Sequence, residues 1–382
     1  MLMSRRRFCH QSLVALSITP VLKKSALAQA LRSTGLKDLY KDDFLIGTAV
    51  SNRTLQEEDR AMLDLIAREF NAVTAENCMK WGQIHPEAER WEWELPDRLV
   101  RFATGRNMYI LGHTLVWHSQ TARDLFRAAS GTGVITRDDL LRKMEDHIRT
   151  LVGRYKGRIA AWDVVNEAVD EDKGWRRSRW FEILGPEFLE KAFHWAHEVD
   201  PKAQLLYNDY NMHNPGKAKF VAEFVRDFKK RGVPIHGVGM QGHVGLDYPD
   251  IREFEASVLL FAEAGVTVHI TELDVDVLPQ RGASGTAEIS TRVEYSTELN
   301  PWSDGLPTEM QDRLARRYEE LFRLFLKHRN LIDRVTTWGT SDDESWKNNF
   351  PVPGRTNHPL LFDRKKQPKP AYRAVAALKT PS

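Results

Sequence analysis

The sequence predicts an α/β fold, a (β/α)8 TIM barrel. Three observations carry that reading. Short runs rich in β-branched residues alternate with longer segments of helical periodicity. The runs number eight, and no low-complexity linker divides the 382 residues into separate units. A barrel of this kind takes about 250 residues and tolerates long loop insertions. A doubly wound open sheet is the competing fold, but the first strand leads into "GTAVSN" and not into a phosphate-binding GxGxxG turn.

In chain order, the expected strands are "DFLIGTA" (43–49), "NAVTAE" (71–76), "MYILGHTLV" (108–116), "IAAWDVV" (159–165), "AQLLYND" (203–209), "HGVGMQG" (236–242), "VTVHITEL" (266–273) and "RVTTWGT" (334–340). Each has the length of a buried strand. Between them, amphipathic patterns predict helices over 57–70, 137–155, 186–200, 216–232 and 309–329.

Residues 1–30 read as an address, not as structure. "SRRRF" opens on a twin arginine, "SLVALSITPVL" is a short, weakly apolar core, and "AQA" offers small residues for cleavage. The segment is too short to span a membrane. The expectation is a twin-arginine-type signal peptide over 1–30, one catalytic domain over 31–382, and export to the periplasm or the medium. The leader holds five basic residues and no acid. Without it the chain carries 50 basic and 53 acidic side chains, a formal net of −3, so nothing favours nucleic acid or a membrane surface as partner. Of the two cysteines, Cys9 lies in the leader and Cys78 is left alone, which excludes an intrachain disulfide and argues against structural zinc.

Active sites of such barrels form at the C-terminal ends of the strands. The polar and aromatic residues there are Glu76, Asn77 and Lys80 after the second strand, His113 and Trp117 at the third, and Asn166 and Glu167 at the fourth. Asn208, Asp209 and Tyr210 follow at the fifth, Gln241 and His243 at the sixth, Glu272 and Asp274 at the seventh, and Trp338 at the eighth. Glu167 in "AWDVVNEAV" and Glu272 in "VTVHITELDV" end runs that should be buried, where a carboxylate costs several kcal/mol unless paired or protonated. One such acid is most simply an arginine's partner. Two, at strands four and seven on opposite sides of the mouth, suit glycosidic hydrolysis, in which one acid protonates the leaving oxygen and the other attacks or activates water.

The motifs "ENCMKW", "GHTLVWHSQT", "WDVVNEA", "YNDYN", "GMQGH", "ITELDV" and "WGTSDDESW" resemble, in order, those of family 10 glycoside hydrolases, the endo-1,4-β-xylanases. The resemblance runs from about Asp43 to Tyr372. It implies a retaining double displacement on xylan and xylo-oligosaccharides, with Glu167 as acid/base, Glu272 as nucleophile, His243 and Asp274 keeping Glu272 ionised, and Asn166 donating to the sugar 2-hydroxyl. It further implies that Glu76, Asn77, Lys80, His113 and Gln241 hydrogen-bond the chain, while Trp117, Tyr210, Trp338 and Trp346 offer flat faces to sugar rings.

No cofactor is implied. The histidines His113, His118, His243 and His269 invite a metal reading, yet metal-dependent barrels need an HxH pair on the first strand, which is missing, and His269 reads as a core residue. Trp162, Trp195, Trp175 and Trp180 read as packing; Trp81, Trp91 and Trp93 stay open. One departure stands out: after "HSQT" the family pattern leads to expect Pro and then Trp, and this chain has Ala122 and Arg123. The competing functions are hydrolysis of β-1,4-glucan, including a cellobiohydrolase-type action, a non-catalytic carbohydrate-binding barrel, and a metal-dependent amide or phosphate hydrolase. Nothing in the sequence demands more than a monomer.

Overall fold

The computed structural model describes residues 34–380, apart from 129, 171–173 and 280–286. The leader lies outside the described residues. All eight expected strands form, and they close on themselves: β1 (Leu45–Val50), β2 (Ala72–Ala75), β3 (Tyr109–Trp117), β4 (Ala161–Asn166), β5 (Gln204–Asp209), β6 (Gly237–Met240), β7 (Thr267–Asp276) and β8 (Ile332–Thr337) pair in parallel, and β8 pairs with both β7 and β1. Closure removes the sheet edges and yields the (β/α)8 barrel.

Helices cover the outside. The five expected ones appear as α1 (Arg60–Glu69), α3 (Arg137–Tyr155), α4 (Glu187–Val199), α5 (Pro215–Lys230) and α7 (Thr308–Lys327), and α2 (Glu94–Thr104), α6 (Ile251–Glu263) and α8 (Pro370–Ala377) complete the ring. Their starts follow from side-chain caps: Thr136 accepts from Asp139 N at α3, and Asn214 accepts from Gly216 N and Lys217 N at α5, where Pro215 fits the first turn. The chain ends are stitched together. Tyr40 Oη donates to Val375 O at 2.8 Å, and the buried Glu69 carboxylate accepts from Leu36 N at 3.1 Å and Tyr372 Oη at 2.9 Å.

Strand bounds differ from expectation where the site begins. β7 runs three residues further, to Asp276, and the expected 236–242 strand is cut to β6, Gly237–Met240, after which a separate short run, His243–Gly245, pairs with the far end of β7. The ladders slip between His113 and Val116, between Asp163 and Val165, and between Ile270 and Leu273. Such bulges re-aim the residues that follow, and periodicity of two does not report them.

Candidate active site

Six of the seven strand ends after β1, all but that of β5, deliver side chains into one cavity of about 200 Å³, lined by Glu76, Asn77, Lys80, His113, Trp117, Asn166, Glu167, Gln241, His243, Glu272, Trp338 and Trp346. Both glutamates are nearly inaccessible, Glu167 at 4% and Glu272 at 5% exposure.

Glu167 follows the last residue of β4, where the backbone turns left-handed (φ 56°), and its N–H donates to Asn208 O at 2.9 Å. A non-glycine residue in that region is uncommon, and here it aims the carboxylate into the barrel mouth. Trp117 Nε1 donates to Oε2 at 2.8 Å, and Gln241 Nε2 and Asn166 Nδ2 donate to Oε1 at 2.9 and 3.1 Å. Burial pushes the Glu167 carboxyl up from its ordinary range; Gln241 and Trp117 pull it down, while the charge of Glu272 adds to the rise, and the outcome is upward.

Glu272 has the opposite outcome. Burial would raise it as well, but the His243 hydrogen bond, the charges of His113 and His243, and the donor Asn208 hold it below its ordinary range. His243 Nε2 lies 3.2 Å from Oε2, and Asn208 Nδ2 donates to Oε1 at 2.7 Å. His243 Nδ1 lies 3.0 Å from Asp274 Oδ1, and Asp274 Oδ2 accepts from Trp346 Nε1 at 2.7 Å. Burial disfavours the imidazolium, yet Asp274 and Glu272 outweigh it and raise His243 to about 9. An acid, an imidazolium and an acid thus stand in a row.

Asn208 joins the two halves, since the same Nδ2 donates to Asn166 Oδ1 at 2.9 Å, and Thr271 Oγ1 donates to Asn208 Oδ1 at 2.6 Å. On the β2 side, Lys80 Nζ donates to Asn77 Oδ1 at 3.0 Å and lies 5.0 Å from the Trp117 ring. Burial lowers the Lys80 ammonium against the pull of Glu76, Glu272 and Glu167. His113 Nδ1 sits 2.9 Å from Asp163 Oδ2, leaving Nε2 as the ring nitrogen free to meet a ligand.

Asp274 stands where the sequence reading had it, and of the expected substrate-binding residues one, Tyr210, stands elsewhere. Asp274 backs His243 and does not line the cavity. Tyr210 is also absent from the lining: it is buried, its hydroxyl accepts from Arg176 Nη2 at 2.8 Å, and Lys217 Nζ sits 4.0 Å from its ring. Asp209, on the same strand end, is a buried ion-pair partner of Lys217 at 2.7 Å. Trp162 and Trp180 are core as expected, and Trp180 Nε1 donates to Trp117 O at 2.9 Å. Trp81, Trp91 and Trp93, left open by the sequence, form a stacked ladder with His85 and His147. His269 is buried, as expected of a core residue.

Three lining residues were not singled out: Gln120, Ala287 and Ile289. Gln120 lies within the quoted "HSQT", which was its available signal; the stretch holding Ala287 and Ile289 has no periodicity to read. Arg176 also went unnoticed. Its Nε donates to Glu167 O at 2.9 Å and its Nη1 to Glu288 at 2.5 Å, so it ties the acid to the loop after β7. Among the described residues, no group of three or more His, Cys, Asp or Glu is placed to hold a metal ion.

A closed parallel barrel with two buried carboxylates and tryptophan walls at its C-terminal mouth is the arrangement of the two-carboxylate glycoside hydrolases. The chain belongs to glycosyl hydrolase family 10, whose profile matches residues 35–378. It is 42% identical over 351 residues to endo-1,4-β-xylanase A of Xylanibacter ruminicola, covering 92% of this chain and 95% of that one. It is 40% identical over 341 residues to an endo-1,4-β-xylanase of Geobacillus stearothermophilus, covering 88% and 96%. Among solved structures, a GH10 endoxylanase retrieved from sugarcane soil metagenome is similar with a TM-score of 0.88 at 56% identity, over 90% of this chain and 100% of that one. The Paenibacillus barcinonensis xylanase complexed with a conduramine derivative gives 0.80 at 40% identity, over 90% and 98%.

Proposed function

We propose that the chain is a retaining endo-1,4-β-xylanase in which Glu272 attacks the anomeric carbon of a xylosyl unit while Glu167 protonates the departing glycosidic oxygen. The observation that carries the role assignment is the divergence of two buried carboxylates in one cavity, Glu167 held up and Glu272 held down. The first step forms the Glu272–sugar ester and breaks the glycosidic bond, the proton passing from Glu167 to the leaving group. Esterification removes the negative charge of Glu272, one of the causes that raise Glu167. Glu167, already deprotonated by the first step, therefore remains a carboxylate and takes a proton from the attacking water as Glu272 is released. Asn166, which donates to Glu167 directly and is linked to Glu272 through Asn208, donates to the 2-hydroxyl in this reading. Trp117 and Trp338 supply the faces beside the ring.

Proton NMR of products from unbranched xylan and from cello-oligosaccharides, in EDTA, tests the reading. Rapid release of short β-anomeric xylo-oligosaccharides is expected, with little from the glucan. First-formed α-anomers, or silence on both substrates with retained binding, would overturn it. Residues 1–30 belong to the same proposal as a twin-arginine-type leader, with a monomer exported to the periplasm or medium; a cut near residue 30 in N-terminal sequencing of exported protein is the expected result. Among the described residues, no helix is long and apolar enough to cross a membrane.

A further inference from the structure

We propose that the N-terminal mouth of the barrel, opposite the catalytic end, holds a small monovalent anion, a halide or a formate-sized carboxylate, on the buried guanidinium of Arg334. Arg334 lies on β8 and is 1% exposed, yet its Nε, Nη1 and Nη2 have no hydrogen-bond partner. A guanidinium carries five N–H donors, and a buried charge without partners is costly. The group borders a cavity of about 280 Å³ also lined by Leu45, Tyr109, Gln204, His269 and Ile332. Leu45, Tyr109, Gln204 and Ile332 are the first residues of β1, β3, β5 and β8, so this is the barrel floor.

The acceptors nearby are directed elsewhere. Tyr109 Oη donates to Gln204 Oε1 at 2.6 Å. Asp43 is met by Lys379 Nζ at 2.6 Å and by Arg329 Nε at 3.7 Å. Asp333 Oδ2 lies 3.8 Å from His269 Nε2; Asp163 Oδ2 is held by His113, while its Oδ1 has no hydrogen-bond partner and forms no ion pair with Arg334. None of them reaches Arg334. Arg334 thus borders the cavity with three buried nitrogens unsatisfied, while the Tyr109 ring 5.4 Å from Cζ supplies only a π face. Two guanidinium groups, Arg334 and Arg329, and two carboxylates, Asp43 and Asp333, line the cavity, with Arg329 turned to Asp43, so a single negative charge matches the unpaired Arg334 better than a dianion such as phosphate. Burial lowers the Arg334 pKa from its ordinary value and outweighs the opposing pull of Tyr109, Asp163 and Asp333. The site is separate from the carbohydrate cleft and does not depend on the reaction proposed there.

Crystals soaked in sodium bromide and measured at the bromine edge provide the test. The expected result is an anomalous peak within hydrogen-bonding reach of the Arg334 guanidinium, absent from Arg334→Met crystals. A formate co-soak that weakens the peak assigns the site to carboxylates as well; an undiminished peak assigns it to halides. In solution, exchanging gluconate for chloride at constant ionic strength should raise the melting temperature of the wild type by about 2 °C and leave Arg334→Met unmoved. Water alone around the guanidinium, or an equal chloride response in both proteins, would overturn the proposal. Should Arg334→Met fail to fold, the wild-type anomalous map decides by itself.

Discussion

Glu167 accepts from Trp117, Gln241 and Asn166, whereas Glu272 is met by His243 and Asn208, and the proposed division of roles follows those contacts. Glu272→Ala should abolish xylan hydrolysis. Glu167→Ala should lose about 10²–10⁴-fold on xylan, the worth of a general acid, yet keep its first step on aryl xylobiosides whose leaving group needs no proton. Equal losses on both substrates would refute the division of roles. Trp117→Phe deletes a donor that favours ionised Glu167, so the carboxyl rises and the alkaline limb of kcat/KM should move up, by about one pH unit if the bond is worth ~1.5 kcal/mol; a limb that stays or falls counts against the acid assignment. His243 has the opposite linkage. Its folded-state pKa is raised to about 9, so its stabilisation is full below the ordinary 6.5 and fades as pH rises through about 9. Denaturation of His243→Asn should accordingly show a deficit at pH 6 that narrows by about pH 10. These residues were legible because each sits in a short motif. Arg176 and Ile289 were not, because their role comes from contact with residues distant in sequence.

At the scale of elements, the strand alternation was readable, but the slips were not. Each bulge falls inside a run whose composition is uniformly suited to a strand, and its cause is the pairing with a neighbour. What a bulge achieves is visible at β7: the slip between Ile270 and Leu273 spans Glu272, and the strand then continues to Asp274 beside His243. Two glycines hold the same region open. A Cβ at Gly239 would lie 2.3 Å from Asn208 Oδ1, and one at Gly82 would lie 2.6 Å from Gln120 O. Gly239→Ala should displace the amide that bridges the two acids, costing about 1–3 kcal/mol of stability and lowering kcat. Thr136→Ala, at the cap of α3, should cost about 1 kcal/mol with kcat unchanged. If urea melts and rate assays ranked the two variants alike in both measures, the special place of Gly239 would be lost.

On the scale of the whole molecule, the barrel closes twice, once by β1 pairing with β8 and again by the terminal segments knotting around Glu69 and Val375. Tyr372→Phe removes the hydroxyl that Glu69 accepts and should lower unfolding free energy by about 1–3 kcal/mol while leaving xylan turnover as it was. Turnover in EDTA should match turnover without it; a chelator-sensitive rate would revive the metal-dependent reading. The eightfold fold was legible because it repeats, and this outer knot was not, because it joins the helix Leu36–Leu39 to α8 across the length of the chain. Its consequence is one of orientation. Both ends of the described chain emerge side by side beneath the floor, while the carbohydrate cleft opens from the opposite end. A surface, tether or partner module attached through either end, or through both at once, would leave the mouth turned outward, toward a substrate too large to come to the enzyme.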